Sequence, residues 1–190
     1  ACADLGLRAI VYLEVFGETA EQLSTRFEPN FERIRESLSD RVRLGVSPHA
    51  PYSCGVDLYA ACLGLGLPVA THLAESGDEH EWLTAGTGPW EQFRETLPPP
   101  PGTSVIRLLA EHGLLDSSIV AAHCVTVDAD EIGLLAAHDV AVAHCPRSNA
   151  FLGCGAAPVA ALRDAGIRVG LGTDSPASTP SFDMFDELRA

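Results

Sequence analysis

Apolar and β-branched residues are concentrated in six short runs, which are separated by longer stretches of helical character. Such runs are typical of strands that are buried on both faces, as in a parallel sheet. The strict alternation of strand and helix predicts βα units with right-handed crossovers, and therefore an α/β fold. The predicted strands lie at about 8–15, 42–47, 68–73, 119–124, 140–145 and 168–173.

Start and stop signals place three of the intervening helices. Residues 57–65 have a helical pattern, and residues 128–131 form a capping box ahead of an apolar helix. Residues 157–163 carry an apolar stripe that closes at Gly166, a favourable residue for a helix end.

The segment 76–105, between the third and fourth strands, is expected to be a long loop. It contains four consecutive prolines, 98–101, and loops of this length are uncommon unless they are functional or flexible. We expect this segment to form a lid or wall of a site, with a solvated surface insertion as the alternative.

Four of the predicted strands end at a histidine or an aspartate. These residues are His49, His72, His123 and Asp174, and Glu75 follows His72 by three positions. Because the carboxyl ends of barrel strands converge on one mouth, we expect the side chains to share a site. An ionised carboxylate at the end of a buried strand needs a partner, and imidazole with carboxylate suits zinc or ferrous iron. The pattern therefore predicts a metal-dependent enzyme.

Taken singly, each of these residues also has a structural interpretation. A lone histidine after a strand is more often a hydrogen-bonded core or surface residue, and Asp174 could cap the turn into the next helix. For His144, within the fifth strand, we prefer a structural role. His80, His112 and His138 have acidic neighbours and are expected at the surface.

The composition argues against several other classes. The formal net charge of −14 repels a phosphate backbone, so nucleic acid is not an expected partner. No run approaches the ~18 apolar residues of a membrane span. We find no basic-then-apolar leader and expect a cytoplasmic protein without a membrane partner. The cysteines are expected to be buried free thiols: Cys2, Cys54, Cys62, Cys124, Cys145 and Cys154.

The ordered motifs SPHAPYS, THLAES, AAHCV, PRSNAFLG and GLGTDSPAS resemble those of the deaminase and chlorohydrolase branch of the amidohydrolase superfamily. The resemblance covers nearly the whole chain. It implies a (β/α)8 barrel of the TIM type that binds one divalent metal ion, zinc in most members, with iron as the alternative.

The resemblance also implies a role for each strand-end residue. His72 resembles the metal ligand of the fifth barrel strand, and Asp174 resembles the eighth-strand ligand and base. Glu75 is similar to the proton shuttle that also contacts the substrate. His123 is similar to the histidine that orients the attacking water, and His49 to a substrate-contacting histidine after the fourth strand.

The family pattern includes an HxH pair on the first strand, and these 190 residues contain no HxH. The resemblance therefore implies that residues 1–190 form a single, partial barrel domain covering about strands three to eight. The first two strands and the closing segments are then expected outside this chain. His72 and Asp174 supply two ligands, fewer than the three or four of a catalytic metal site.

Two segments, GTGPW and HCPRSNAFLGCG, are similar to those of aminodeoxyfutalosine deaminases of menaquinone synthesis. The implied reaction is hydrolysis of the adenine ring of a benzoate-bearing nucleoside, aminodeoxyfutalosine, to futalosine and ammonia. The alternatives are deaminases of methylthioadenosine, adenosylhomocysteine, adenosine or guanine, followed by triazine hydrolases. A catalytically inactive barrel that serves as a binding or scaffold protein is a second alternative, and a homo-oligomer is left open.

Arg147 follows the seventh barrel strand and is one of only 12 basic residues. Arginine can bind a carboxylate in bidentate fashion, so Arg147 is a candidate anchor for the benzoate. The alternative is that Arg147 pairs with one of the many acidic residues of the chain.

Overall fold

The computed structural model describes residues 4–190, apart from the side chain of Arg26, and strands alternate with helices along the chain. Each strand begins and ends within two residues of its predicted position, which confirms the six predicted strands and the α/β class. The strands are β1 (Ala9–Val15), β2 (Val42–Pro48), β3 (Val69–Leu73), β4 (Ile119–His123), β5 (Ala141–His144) and β6 (Val169–Leu171).

The helices lie between and after these strands, and three of them match the predicted ones: α2, α5 and α7. Among the described residues, no helix has the length and apolar character required to cross a membrane. The α-helices are α1 (Ala20–Ile34), α2 (Val56–Gly64), α3 (Gly77–Ala85), α4 (Val105–Glu111), α5 (Ala129–Ala137), α6 (Pro146–Phe151), α7 (Val159–Asp164) and α8 (Met184–Glu187). Two short 3₁₀ helices lie at Arg35–Ser37 and Pro89–Phe93.

The prediction of a long loop over 76–105 is wrong for its first part, because α3 begins directly after Ser76. The Ser76 hydroxyl accepts a hydrogen bond from the Glu79 backbone at 3.2 Å, and the helix ends at Gly86 with a left-handed φ of 68°. Its apolar residues Trp82 and Leu83 are adjacent in sequence, so they give no helical periodicity. Both are almost fully buried, and their packing stabilises a helix that the pattern did not indicate.

The described part of the chain forms two compact units, which divide between Thr71 and His72. In the first unit, β1 pairs with β2 over seven parallel positions, from Ala9↔Val42 to Val15↔Pro48. The start of β3 continues this order next to β2. Helix α2 packs Leu58 and Tyr59 into the interior, and the Tyr59 hydroxyl lies 2.6 Å from Thr71 Oγ1.

In the second unit the order is the end of β3, then β4, β5 and β6. Strand β5 pairs in parallel with β4 on one side and with β6 on the other. The interior contains large apolar side chains from strands and helices alike, such as Ile119, Leu135 and Leu162, each fully buried. Parallel pairing brings the carboxyl ends of these strands to one edge of the sheet in this unit, where His72, His123 and Asp174 lie.

A buried carboxylate joins α4 to α5 in the second unit. Glu131 is 1% exposed and accepts hydrogen bonds from the Ser104 hydroxyl, from Arg107 Nη1 at 3.0 Å and from the Asp128 backbone at 2.8 Å. The Asp128 side chain in turn accepts from the Glu131 backbone at 2.9 Å, so the predicted capping box is confirmed.

The cysteines that the structure describes are free thiols, as predicted. Four are buried, and Cys154 is partly exposed; Cys2 lies outside the described residues. Burial raises the pKa of each of these thiols, to about 12 for Cys62 and Cys145.

Replacing the cap of α5 tests how much this junction contributes to stability. We expect Asp128→Ala to lower the free energy of unfolding by about 1 kcal/mol, since an N-cap hydrogen bond is lost. Asp130→Ala removes the same charge from a side chain that is 92% exposed, and should have a much smaller effect. Chemical denaturation of both variants measures the difference.

The hydrogen bond from Arg107, together with that from the Glu131 backbone, lowers the pKa of Asp128. The stabilising effect of the ionised carboxylate is therefore complete at neutral pH and is lost as the pH falls through that lowered pKa. The difference in free energy of unfolding between Asp128→Ala and Asp130→Ala should therefore become smaller in acid. If both variants lose the same free energy of unfolding at neutral pH, the capping role of Asp128 is contradicted.

Candidate functional site

Three predicted residues, each at or near the carboxyl end of a strand, come together in the second unit. His72 lies in β3, His123 is the last residue of β4, and Asp174 follows β6. Each offers a ligand atom, and these atoms all lie within 4.8 Å of one another. The two imidazole rings are stacked, with centroids 5.5 Å apart. Two nitrogen donors and one carboxylate suit zinc or ferrous iron, so the residues fit the predicted metal.

The backbone at these strand ends is strained. Among the described residues, five that are not glycine have a positive φ, and four of them lie here: Ala74 (53°), His123 (71°), Cys124 (48°) and Asp174 (61°). The left-handed region is unfavourable for residues with a Cβ atom. Such conformations persist only where the surroundings enforce them, and they cluster at functional sites. The strain thus marks the same edge of the sheet as the predicted residues.

Hydrogen bonds between the loops after β3 and β4 hold two of these turns. The Ala74 carbonyl accepts from the Val125 backbone at 2.8 Å, from the Thr126 backbone at 2.9 Å and from the Thr126 hydroxyl at 3.2 Å. The Cys124 backbone donates to the Leu73 carbonyl at 3.0 Å. These bonds fix the backbone from which Glu75 and His123 project.

Two serine hydroxyls orient Asp174. Ser148, in α6, and Ser178 each donate to Asp174 Oδ2 at 2.6 Å, and both serines are buried. Burial by itself raises the pKa of Asp174, but these hydrogen bonds and the nearby His123 and His72 outweigh it and place the pKa below its ordinary value. Asp174 is therefore ionised at neutral pH, which both a ligand and a base require.

His123 is buried and held by an amide. Its Nδ1 lies 2.9 Å from Asn149 Oδ1, and the ring is 1% exposed. Because an amide oxygen only accepts, Nδ1 is the donor in this hydrogen bond. Nε2 lies 3.6 Å from Glu75 Oε1. The ring thus presents one defined nitrogen to the site.

Glu75 is positioned through its own backbone. Its N–H donates to Glu79 Oε2 at 2.6 Å, while its side chain remains 19% exposed. Glu79 lies in the first turn of α3 and is fully buried. Burial raises the pKa of Glu79 to about 7, against the lowering effect of the Glu75 N–H.

His49 lies directly after β2, in the first unit. Its Nδ1 is 2.7 Å from the Ser53 hydroxyl, and its ring packs against Phe16 and meets the Tyr52 ring edge-on. The ring is therefore held in one orientation by neighbours of its own unit. Its contact with a substrate stays a prediction.

Arg147 lies in α6 and forms ion pairs with two acidic residues near the end of the described chain. Its Nη1 lies 3.5 Å from Glu187 Oε1, 3.6 Å from Asp186 Oδ2 and 3.1 Å from the Ser181 hydroxyl. The Glu187 side chain is fully buried, so the arginine compensates a charge that would otherwise be unpaired. This arrangement favours the ion-pair interpretation over the substrate anchor.

The remaining histidines divide into two groups. His144, the last residue of β5, is partly buried and lines a cavity of about 520 Å³ together with Asn149. Burial lowers the pKa of His144, and its Nδ1 has no hydrogen-bond partner within the described residues. His80 and His112 are exposed, as expected, whereas His138 is half-buried at the end of α5.

Several residues that shape the site were not identified from the sequence. Ser148 and Asn149 belong to the motif PRSNAFLG, but they reach partners 26 residues away, and no local pattern shows that contact. Glu79 has one available signal. Ser76 and Glu79 have the S-x-x-E spacing that is typical of a helix start.

The model of the amidohydrolase family matches residues 1–190. A 5-methylthioadenosine/S-adenosylhomocysteine deaminase of Pelotomaculum thermopropionicum is 40% identical over 157 residues, which cover 79% of this chain and 32% of that protein. The solved aminofutalosine deaminase of Helicobacter pylori is similar with a TM-score of 0.83 and 25% identity over 99% of this chain and 51% of that one.

A solved adenosine deaminase of Xanthomonas campestris with bound zinc is similar with a TM-score of 0.78 and 26% identity, over 99% of this chain and 42% of that one. The chain thus spans about a third to a half of the length of these proteins. The predicted α/β-barrel fold and the deaminase branch are confirmed by these likenesses. With a family model that matches its whole length, the chain belongs to the amidohydrolase family.

Proposed function

We propose that this chain is the strand-three-to-eight part of a metal-dependent deaminase that hydrolyses the adenine ring of a nucleoside. The observation that carries the proposal is the meeting of His72, His123 and Asp174 within 4.8 Å, with Glu75 beside His123. A hydrolytic deaminase needs a metal site, a base and an acid, and these side chains supply candidates for each. An inactive scaffold would have no need to keep strained strand ends around such a group.

In this proposal His72 and Asp174 hold one divalent ion, and the other ligands come from residues outside this chain. Zinc is the proposed ion, since a solved relative contains it. A divalent ion bound here would make hydroxide available near neutral pH by lowering the pKa of water to about 7. His123 is a further possible metal ligand within reach. Its Nδ1 is held by Asn149, and a ring fixed in this way is equally suited to orienting the attacking water.

The protein's own residues then move the protons. Asp174, ionised and held by two serines, accepts a proton from the attacking water, and His123 Nε2 orients that water. Glu75 protonates the ring nitrogen as the new carbon–oxygen bond forms. The proton that Asp174 took from the water then passes, with the help of Glu75, to the amino group, whose bond to the ring carbon breaks to release ammonia. Glu75 recovers its own proton from the new hydroxyl group as the product carbonyl forms.

Three nucleosides, supported by two different relatives, are candidates for the substrate. Aminodeoxyfutalosine, from menaquinone synthesis, is supported by the likeness to the Helicobacter pylori enzyme and by the motifs GTGPW and HCPRSNAFLGCG. Methylthioadenosine or adenosylhomocysteine is supported by the 40% identical relative. The ion pair between Arg147 and Glu187 also favours methylthioadenosine or adenosylhomocysteine, because it engages the arginine that would otherwise bind the benzoate of aminodeoxyfutalosine.

The first test is the release of ammonia by the complete protein from a panel of adenosine derivatives. We expect turnover of at least one 5′-substituted adenosine, with kcat/KM higher than for plain adenosine. The panel should include aminodeoxyfutalosine, methylthioadenosine, adenosylhomocysteine and adenosine itself, and guanine is assayed beside it as the alternative purine. If the metal-loaded protein releases no ammonia from any of these, the proposal is wrong.

Removal of a proposed ligand tests the metal site. His72→Ala in the complete protein should lose most of its bound divalent metal, because a site short of a ligand loses much of its affinity. Metal content is measured by elemental mass spectrometry after dialysis. His80→Ala, an exposed histidine of α3, is the matched control and should keep its metal. Full metal occupancy and activity in His72→Ala would contradict the assignment.

The proton-transfer role of Glu75 has a separate test. Glu75→Gln should keep its metal and its thermal stability but lose activity by ~10²–10⁴-fold, the usual contribution of a general acid. Asp78→Asn, at an exposed position of α3, removes the same charge and should remain active. Normal turnover by Glu75→Gln, or its failure to fold, would rule out the proposed role.

A further inference from the structure

Glu79 is a buried carboxyl group that the proposed reaction does not use. Its side chain is fully buried in the first turn of α3, and its Oε1 has no hydrogen-bond partner within the described part of the chain. Burying a carboxyl group without full compensation is unfavourable. A core position of this kind would ordinarily hold an apolar residue, so the acidic side chain requires an explanation.

Capping of α3 accounts for only part of it, because the Ser76 N–H at the N-cap lowers the pKa of Glu79 less than the Glu75 N–H does. The N-cap is Ser76, whose hydroxyl accepts from the Glu79 backbone at 3.2 Å. In a capping box the third residue returns a hydrogen bond to the N-cap backbone. The short contact of Glu79 instead reaches one residue further back, to the Glu75 N–H at 2.6 Å. The carboxyl group is therefore directed at the residue that carries the proposed general acid.

The peptide group that joins Ala74 to Glu75 is thereby held at both its carbonyl and its N–H. On one side, the Ala74 carbonyl is bound by the backbone N–H groups of Val125 and Thr126, and Ala74 itself has a left-handed φ of 53°. On the other side, Glu79 binds the Glu75 N–H. Without the second contact, the strained turn has fewer constraints, and the Glu75 side chain loses its fixed approach to His123.

We propose that Glu79 is a positioning residue, whose buried carboxyl group fixes the backbone of Glu75 and so aims its side chain at the reacting atoms. The inference rests on the proposed role of Glu75 as the proton-transfer group. Groups of this kind must be held within about 0.5 Å of their productive position, which explains the use of a buried acceptor.

The electrostatic surroundings do not require Glu79 to be charged. The acidic group that faces it is Glu75, which repels it when both are ionised, while Cys124 is a buried thiol whose own pKa is raised first by burial and then by Glu79. A neutral carboxyl group, or an amide, can accept the Glu75 N–H bond through its carbonyl oxygen. Glutamine should therefore replace Glu79 in this role, and leucine should not.

The test is a double-mutant cycle in the complete protein, with metal content and KM measured for every variant. Glu79→Leu should lower kcat by up to about 100-fold, the effect of a misplacement of about 1 Å, with little change in KM or bound metal. Glu79→Gln should recover most of the rate that Glu79→Leu loses. In the Glu75→Gln background, Glu79→Leu should cause little further loss, because Glu79 acts through Glu75.

Leu83→Ala is the matched control, since Leu83 is buried on the same helix and supplies packing only. The fold-loss in kcat caused by Leu83→Ala should be the same in the wild-type and in the Glu75→Gln background. If Glu79→Leu also causes the same fold-loss in both backgrounds, or no loss in either, the positioning role is wrong. If Glu79→Leu does not fold, Glu79→Gln still tests the proposal. A folded Glu79→Gln protein with a kcat as low as that of Glu75→Gln would also contradict the positioning role. Full activity of Glu75→Gln would instead disprove the proposed function of Glu75 itself.

Discussion

The contact on which this site depends is the set of hydrogen bonds that the Ala74 carbonyl accepts from the loop after β4. It joins two neighbouring strand ends, each of which turns through the left-handed region without a glycine. His72 and Glu75 lie on one side of this junction and His123 lies on the other. Because the backbone is fixed here, the side chains need little further reorganisation to meet a ligand.

Two carboxyl groups near this junction have pKa values displaced in opposite directions. Burial acts on both, but the serine hydroxyls and nearby histidines reverse its effect at Asp174. At Glu79, burial prevails and raises the pKa to about 7. Asp174 is thus kept ionised, as a ligand and a base require, whereas Glu79 can lose its charge near neutrality and still accept a hydrogen bond.

The positions of the strands and of the residues at their ends could be predicted from the sequence, because both depend on local pattern. Buried parallel strands are short apolar runs, and a histidine or aspartate after such a run is visible in the chain itself. The position of His123 beside His72 then follows from the parallel order of the strands alone.

What could not be predicted depends on contacts between distant residues. The sequence left the role of Arg147 open between a substrate anchor and an ion pair, because Glu187, its buried partner, lies 40 residues further along the chain. Helix α3 was missed because its stability comes from the burial of Trp82, not from a periodic stripe. The acceptor for His123 is likewise an asparagine on another element, which no motif spacing connects to it.

The left-handed turns also limit how this protein can be engineered. Glycine would adopt the backbone of Ala74 or Cys124 without strain, so a search for thermostable variants would select it there. The same substitution would widen the range of conformations at the strand ends that carry the site. At these positions, a substitution that raises the melting temperature would therefore also make the site less rigid. Stabilising substitutions are better sought at exposed positions of helices such as α5.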